Sequence, residues 1–227
     1  HVYFLNNESV PGREERNLWA GISLKHGMGP ATVDGFFIYN QGKVDGNAGA
    51  DLKHAGYAVK AACGMDVGSA NVGVQVLYST GDDGKGGTET DEFQTLQADG
   101  QGYWSYVGLF TPRGPSDTNN LRASLRNRDQ NGIARGLTTV QGRLSFPIQD
   151  DLSIYAAVGV FRASVDGGTG KDMGTEALAE GKYMISKSLG IEFGGSVARL
   201  GDFYKQIGSA DSPDNLYELY SRLQVEF

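Results

Sequence analysis

Ten side chains suited to handling a dissolved molecule lie on the polar phase of segments in which apolar and polar residues alternate. They are Lys25, Lys60, Gln75, Arg143, Glu176, Glu180, Lys182, Glu192, Glu218 and Arg222. With Glu226 the charged members divide evenly: Lys25, Lys60, Arg143, Lys182 and Arg222 against Glu176, Glu180, Glu192, Glu218 and Glu226. A period of two puts such residues on one face of a strand. A wall carrying both signs can orient polar solutes and sort them by charge. The same residues could also plug a narrow barrel with ion pairs. The spacing leaves both readings open.

A basic group, Arg113, Arg122, Arg126, Arg128 and Arg135, falls in or just after a long glycine-rich connection, residues 81–136. Folded inward, this segment would form a constriction that prefers anions. Folded outward, it would meet lipopolysaccharide phosphates or a partner, or simply be solvated. Asp82, Asp83, Asp91 and Glu92 concentrate hard oxygens in residues 81–92, yet their spacing lacks the alternate ligands of an EF-hand loop. No metal or cofactor is therefore expected, with those four the weak calcium candidates. Residues 167–171 (GGTGK) lack the spacing of a phosphate loop and the hydroxyl after Lys171. Of the three histidines, only His54 with Asp51 and Ser79 suggests a hydrolase, and no G-x-S-x-G accompanies them. An enzyme is not expected.

The elements that must position these residues are strands. The last residues, Leu216 to Phe227, alternate Tyr217, Leu219, Ser221, Leu223, Val225 and Phe227 against Glu218, Tyr220, Arg222, Gln224 and Glu226. Similar alternation runs through residues 16–26, 55–66, 72–80, 137–146, 152–163, 174–185 and 189–200. Residues 2–7 form a short strand, and residues 32–41 one of uncertain phase because Phe36, Phe37, Ile38 and Tyr39 are all apolar. The 34 glycines are about twice the usual share. No apolar run reaches the ~18 residues of a membrane helix. Alternating strands can nonetheless cross a bilayer, with about ten residues each. Tyr3, Tyr39, Tyr57, Tyr78, Tyr183 and Tyr217 lie near strand ends, as an interfacial girdle requires. Cys63 is alone and on the apolar phase. A net charge of −7 argues against nucleic acid.

The connections alternate long and short along the chain, with the longest at 81–136. Outer-membrane barrels combine short periplasmic turns with long extracellular loops. The expectation is one all-β domain over residues 1–227, an antiparallel, up-and-down transmembrane β-barrel of ten strands. A hairpin of residues 103–110 with 121–127 would make twelve. The start at His1 reads as a processed protein or a fragment, so the chain is either a complete narrow barrel or the C-terminal part of a 16–18-stranded one.

Certain stretches resemble the alginate-export-type outer-membrane porins: Tyr78 to Asp83 followed by Asp91 to Gln94; Leu137 to Leu152 through Pro147; Glu180 to Tyr183; and Leu189 to Phe203 with its Gly201, Asp202 and Phe203. The resemblance implies a porin in the bacterial outer membrane and favours the larger barrel. It also implies an arginine-rich lumen, from which the evenly divided charges depart. Phe227 is similar to the terminal residue that barrel-assembly machinery recognises. The expected function is passive diffusion of small polar or anionic solutes, of uronate type if the resemblance extends that far. A structural or adhesive barrel working through its loops is the alternative, and an outer-membrane hydrolase the lesser one.

Overall fold

The computed structural model describes residues 1–10, 13–45, 51–85, 87–95, 105–111, 128–129, 132–168, 170–205 and 214–225. In chain order the elements are β1 (Val2–Val10), β2 (Arg13–Met28), β3 (Ala31–Asp45), β4 (Leu52–Val67), β5 (Ala70–Ser79), β6 (Glu89–Thr90), β7 (Thr138–Pro147), β8 (Leu152–Arg162), β9 (Asp172–Ser186), β10 (Leu189–Leu200), α1 (Asp202–Lys205) and β11 (Asn215–Val225). Ten of these strands form one antiparallel path in which each neighbours the next in sequence, apart from β5, which pairs with β7. The two-residue β6 runs parallel to β4, the one exception to the antiparallel expectation among the described residues. The strand between residues 103 and 110 does not form: residues 105–111 make bends only. Its proposed partner, residues 121–127, lies outside the described residues.

The sheet sorts its side chains by phase. Directly opposed residues share a face, so the register identifies an outer set running Ile22, Phe37, Val59 and Tyr78 across β2 to β5. Val76, Val140, Val160 and Thr175 continue the outer set. These positions are open: Ile22 is 71% exposed, Val158 59%, Leu219 90%. So extended an apolar surface does not survive in water on a monomer. From Val67 to Tyr57 on β4 the outer phase is apolar for ten residue steps, which tilted by ~40° spans ~25 Å, the height of a barrel's hydrocarbon band. At one margin Phe37 stacks on Tyr57 at 5.9 Å, and Tyr57 meets Tyr78 at 5.6 Å. Tyr3 does not join that girdle, because it pairs with Trp19 of the opposite face.

The phase of β3, unreadable from its own residues, is settled by its neighbours. Phe37 and Tyr39 pair with Ile22 and Ala20 and face outward. Asp34 and Phe36 pair with Lys25 and Ser23 and face inward.

The ladder also runs past the ends that composition suggests. Residues 7–15 are mostly polar and include Pro11 and Gly12, a composition that predicts a loop, yet β1 reaches Val10 and β2 starts at Arg13, with Asn7 opposite Glu15. The first connection is therefore short, and strict alternation of connection lengths fails there. Polar residues mark where a strand leaves the apolar band, and backbone pairing continues beyond it. At the opposite end the turns are tight, with Gly29 at φ 60° and Gly68 at φ 62°, angles that side chains with a Cβ rarely take.

Among the described residues β1 and β11 pair with β2 and β10 alone, so the ten-strand path is open at both edges. No described helix is long and apolar enough to cross a membrane, which says nothing about strands. Replacing the outward Val158 by Arg is expected to cost about 2–4 kcal/mol in lipid vesicles, the midplane penalty of a barrel's lipid face. The inward Ser145→Arg should cost much less. Urea unfolding of the two variants measures the difference, and equal losses would remove the lipid-face assignment.

Candidate functional site

The inner face is where all ten polar-phase residues fall, by register. One cross-strand row reads Lys25, Asp34, Ala62, Gln75, Gln141, Gly159, Glu176 and Ala198. Another reads Lys182, Glu192 and Arg222. Arg222 reaches Glu192 at 3.5 Å, so one carboxylate stands between two cations. The Tyr220 hydroxyl donates to Glu180, two positions along. Lys60 pairs with Asp34 at 2.7 Å, a partner hidden from sequence reasoning by the ambiguous phase of β3. Glu218 opposes Ser196 on the same face.

Two described stretches of the long connection lie on this face. In the first, the Trp19 indole donates to the Gln94 carbonyl at 2.8 Å and the Gln94 amide donates to Asn40 at 3.1 Å. The chain passes so near β4 that a Cβ on Gly56 would lie 2.6 Å from the Phe93 nitrogen. In the second, Gly108, Leu109 and Phe110 donate their amides to the Glu176 carboxylate at 2.8, 2.8 and 2.9 Å. Gln141 Oε1 accepts from the Tyr106 amide at 2.7 Å and from the Ser105 hydroxyl at 3.1 Å. The Tyr155 hydroxyl donates to the Tyr106 carbonyl at 2.8 Å.

Apolar packing completes this anchorage. Val107, Leu109 and Phe110 are buried with Leu77, Leu137, Phe161, Met173, Leu178 and Phe203. Phe110 stacks on Phe161 at 4.5 Å. Gly159 makes room, since a Cβ there would sit 2.8 Å from the Phe161 ring. Tyr204 of α1 closes the cluster beside Phe110, and burial pushes its hydroxyl pKa upward. At the rim of the segment the Arg143 guanidinium lies 5.2 Å over the Tyr106 ring. Gly73 lets Arg143 lie flat, since a Cβ there would meet its Nε at 2.9 Å.

Several expected roles change in consequence. Glu176 and Gln75 face inward but are buried, at 3% and 1% exposure, beneath or beside the anchored segment, so they hold it rather than line a free passage. Arg135 is no constriction residue. It is buried, paired with Asp129 at 2.6 Å, and donates to the Asp82 carbonyl. Arg128 pairs with Glu92 at 3.3 Å. Arg113, Arg122 and Arg126 lie outside the described residues, as does Phe227.

The calcium candidates do not gather. Asp82 and Asp83 accept amides two residues on, Glu92 is taken by Arg128, and no metal-sized cluster occurs among the described residues. Asp51, His54 and Ser79 do not assemble either. Asp51 pairs with Lys43, and Ser79 accepts the Leu137 amide opposite Ala58, ~13 Å along β4 from His54.

No protein-family model matches the chain, and no curated protein does. Solved structures do. A BenF-like porin from Pseudomonas fluorescens Pf-5 is similar over 99% of this chain and 51% of its own, at 14% identity and a TM-score of 0.50. OpdL of Pseudomonas aeruginosa is similar over 98% of this chain and 63% of its own, at 11% identity and a TM-score of 0.50. The outer membrane protein OprD of the same species matches at 13% identity and a TM-score of 0.48, over 99% and 54%. The fold is that of the outer-membrane porin barrels. The chain spans only about half to three fifths of the length of these structures.

Glu176 is the residue whose loss should free the inward segment. Glu176→Ala strands three amides, two of them buried, and is expected to destabilise the segment's docking by roughly 3 kcal/mol. Faster protease cleavage within residues 96–120 of the folded protein would report it. Unchanged cleavage would show that Phe110 packing alone holds the segment.

Proposed function

We propose that this chain forms part of an outer-membrane channel through which small polar solutes diffuse passively, with anions preferred. The observation that carries the reading is the inward placement of residues 105–111, pinned to Glu176 and Gln141 beside Arg143 on a face of mixed charge. A segment lying across the inner wall narrows a passage without closing the sheet. Its rim presents Arg143 and the Tyr106 ring, groups that suit carboxylates and the apolar faces of sugars or aromatic acids. The outward apolar band supports residence in the bacterial outer membrane.

The two open edges bear on how the channel closes. Hydrocarbon leaves unpaired backbone groups unsatisfied, so the edges of β1 and β11 must be paired in the membrane. The larger of the two alternatives that the sequence leaves open, a 16–18-stranded barrel, is in keeping with the chain spanning about half of the BenF-like porin. Uronate-type solutes remain the specific form of the proposal, resting on the alginate-type resemblance and on Arg143. Residues 94 and 105–111 of the longest connection are tied to the inner face, which weighs against the adhesive reading.

Planar-bilayer recordings test the proposal. Discrete open levels with modest anion preference are expected. Arg143→Glu together with Arg222→Glu should lower the anion-to-cation permeability ratio by at least about twofold, and uronate oligomers should block the native channel more than the variant. A folded, inserted protein that stays electrically silent would overturn it.

A further inference from the structure

Above the tyrosine margin, on the outward face, three cations stand side by side. The register places Arg16 of β2 opposite Lys43 of β3, and Lys43 opposite Lys53 of β4. Their phase is that of the apolar band, with the row Leu18, Gln41 and Ala55 between them and the row of Tyr39 and Tyr57. Lys53 is four residues from Tyr57, ~10 Å above the band for a tilted strand. That is the depth of lipid headgroups. The row opens at the end of the long connections, opposite the tight turns at Gly29 and Gly68. In porin barrels that end faces outward from the cell.

The three cations, with Glu89 and Asp91, border an open groove of about 670 Å³ that also exposes Phe4, Leu18 and Ala55. It therefore joins a charged rim, with the cation row nearest the band, to apolar surface below. The carboxylate partners of Arg16 and Lys43 sit on the side away from the band, Glu14 beside Arg16 and Asp45 and Asp51 beside Lys43, whereas Glu89 lies opposite Lys53 at the same height. Lys53 meets Glu89 only at 3.8 Å. The cation side chains remain 60%, 43% and 65% exposed. Exposed pairs of this kind hold weakly and yield to a multivalent anion. Interfacial lysines and arginines attract lipid phosphates in this layer.

We propose that Arg16, Lys43 and Lys53 bind the phosphates of a phosphorylated glycolipid of the outer leaflet, whose acyl chains run down over Phe4, Leu18 and Ile22. The continuity of the cation row with the apolar band selects a lipid over free phosphate, which has no use for the band. The proposal rests on the outer-membrane reading above and adds a ligand on the face away from the passage.

The test measures binding of fluorescent bis-phosphorylated lipid A to the purified protein in detergent, against the same lipid dephosphorylated, with inorganic phosphate as competitor. The native protein should prefer the phosphorylated lipid by at least ~10-fold. The triple variant R16Q/K43Q/K53Q should lose that preference, and the charge control K85E/K187E should keep it. Heat-modifiable gel mobility confirms that each variant is folded. Equal affinity for the two lipids overturns the proposal on the native protein alone, whether or not a variant folds. Retained preference in the triple variant, or displacement of the lipid by equimolar inorganic phosphate, overturns it as well. Conductance of the same preparations separates the two readings: a conducting protein without phosphate preference removes the lipid site and leaves the channel.

Discussion

One sheet here separates two solvents, and everything else follows from that. A strand's side chains alternate, so a single ladder can offer hydrocarbon-compatible residues on one side and charged ones on the other only while register is kept across every strand. The pairing from Ile22 through Phe37 and Val59 keeps it without a break. A slip of one residue at any strand would send Lys60 or Arg143 into lipid and Val59 or Leu144 into the interior. The inward ion pairs, Lys60 with Asp34 and Arg222 with Glu192, thus help to hold that register.

The interior is not uniformly open. Near β7 to β9 it holds a packed cluster of Phe110, Phe161, Met173 and Leu178, and the long connection supplies part of it. Glu176 decides this arrangement. A carboxylate on a strand facing water would stay solvated, but here its oxygens replace water with three consecutive amides. Buried charge is tolerable when so fully hydrogen-bonded. Arg143, at the edge of the segment, keeps an intermediate exposure on the inner face. The inner wall thus divides into residues that hold the segment and residues that face the space it leaves.

The upper parts of β2, β3 and β4 belong to neither region. They extend beyond the apolar band, and within four positions their outward residues change from aromatic to cationic on β3 and β4 and from aliphatic to cationic on β2. The change follows the polarity profile of a leaflet, in which ring-bearing residues favour the interface and charges the phosphate layer.

The linear chain by itself determined the alternation, and with it the all-β class, the neighbour-to-neighbour order and the tight turns, because these depend on local period and on glycine geometry. It also determined which phase carries Lys182, Glu192 and Arg222. Tertiary structure alone decided the phase of β3, where Phe36 to Tyr39 are apolar throughout and only pairing with Ile22 and Val59 breaks the tie. It decided where β1 and β2 end, since backbone pairing outlasts apolar composition. It decided that residues 105–111 turn inward, and that Glu176 and Arg135 serve as anchors. Such roles come mostly from contacts over tens of positions, as in the 35 between Tyr106 and Gln141 and the 67 between Leu109 and Glu176. No local pattern encodes a meeting at that separation, because the partners are brought together only when the sheet between them has formed.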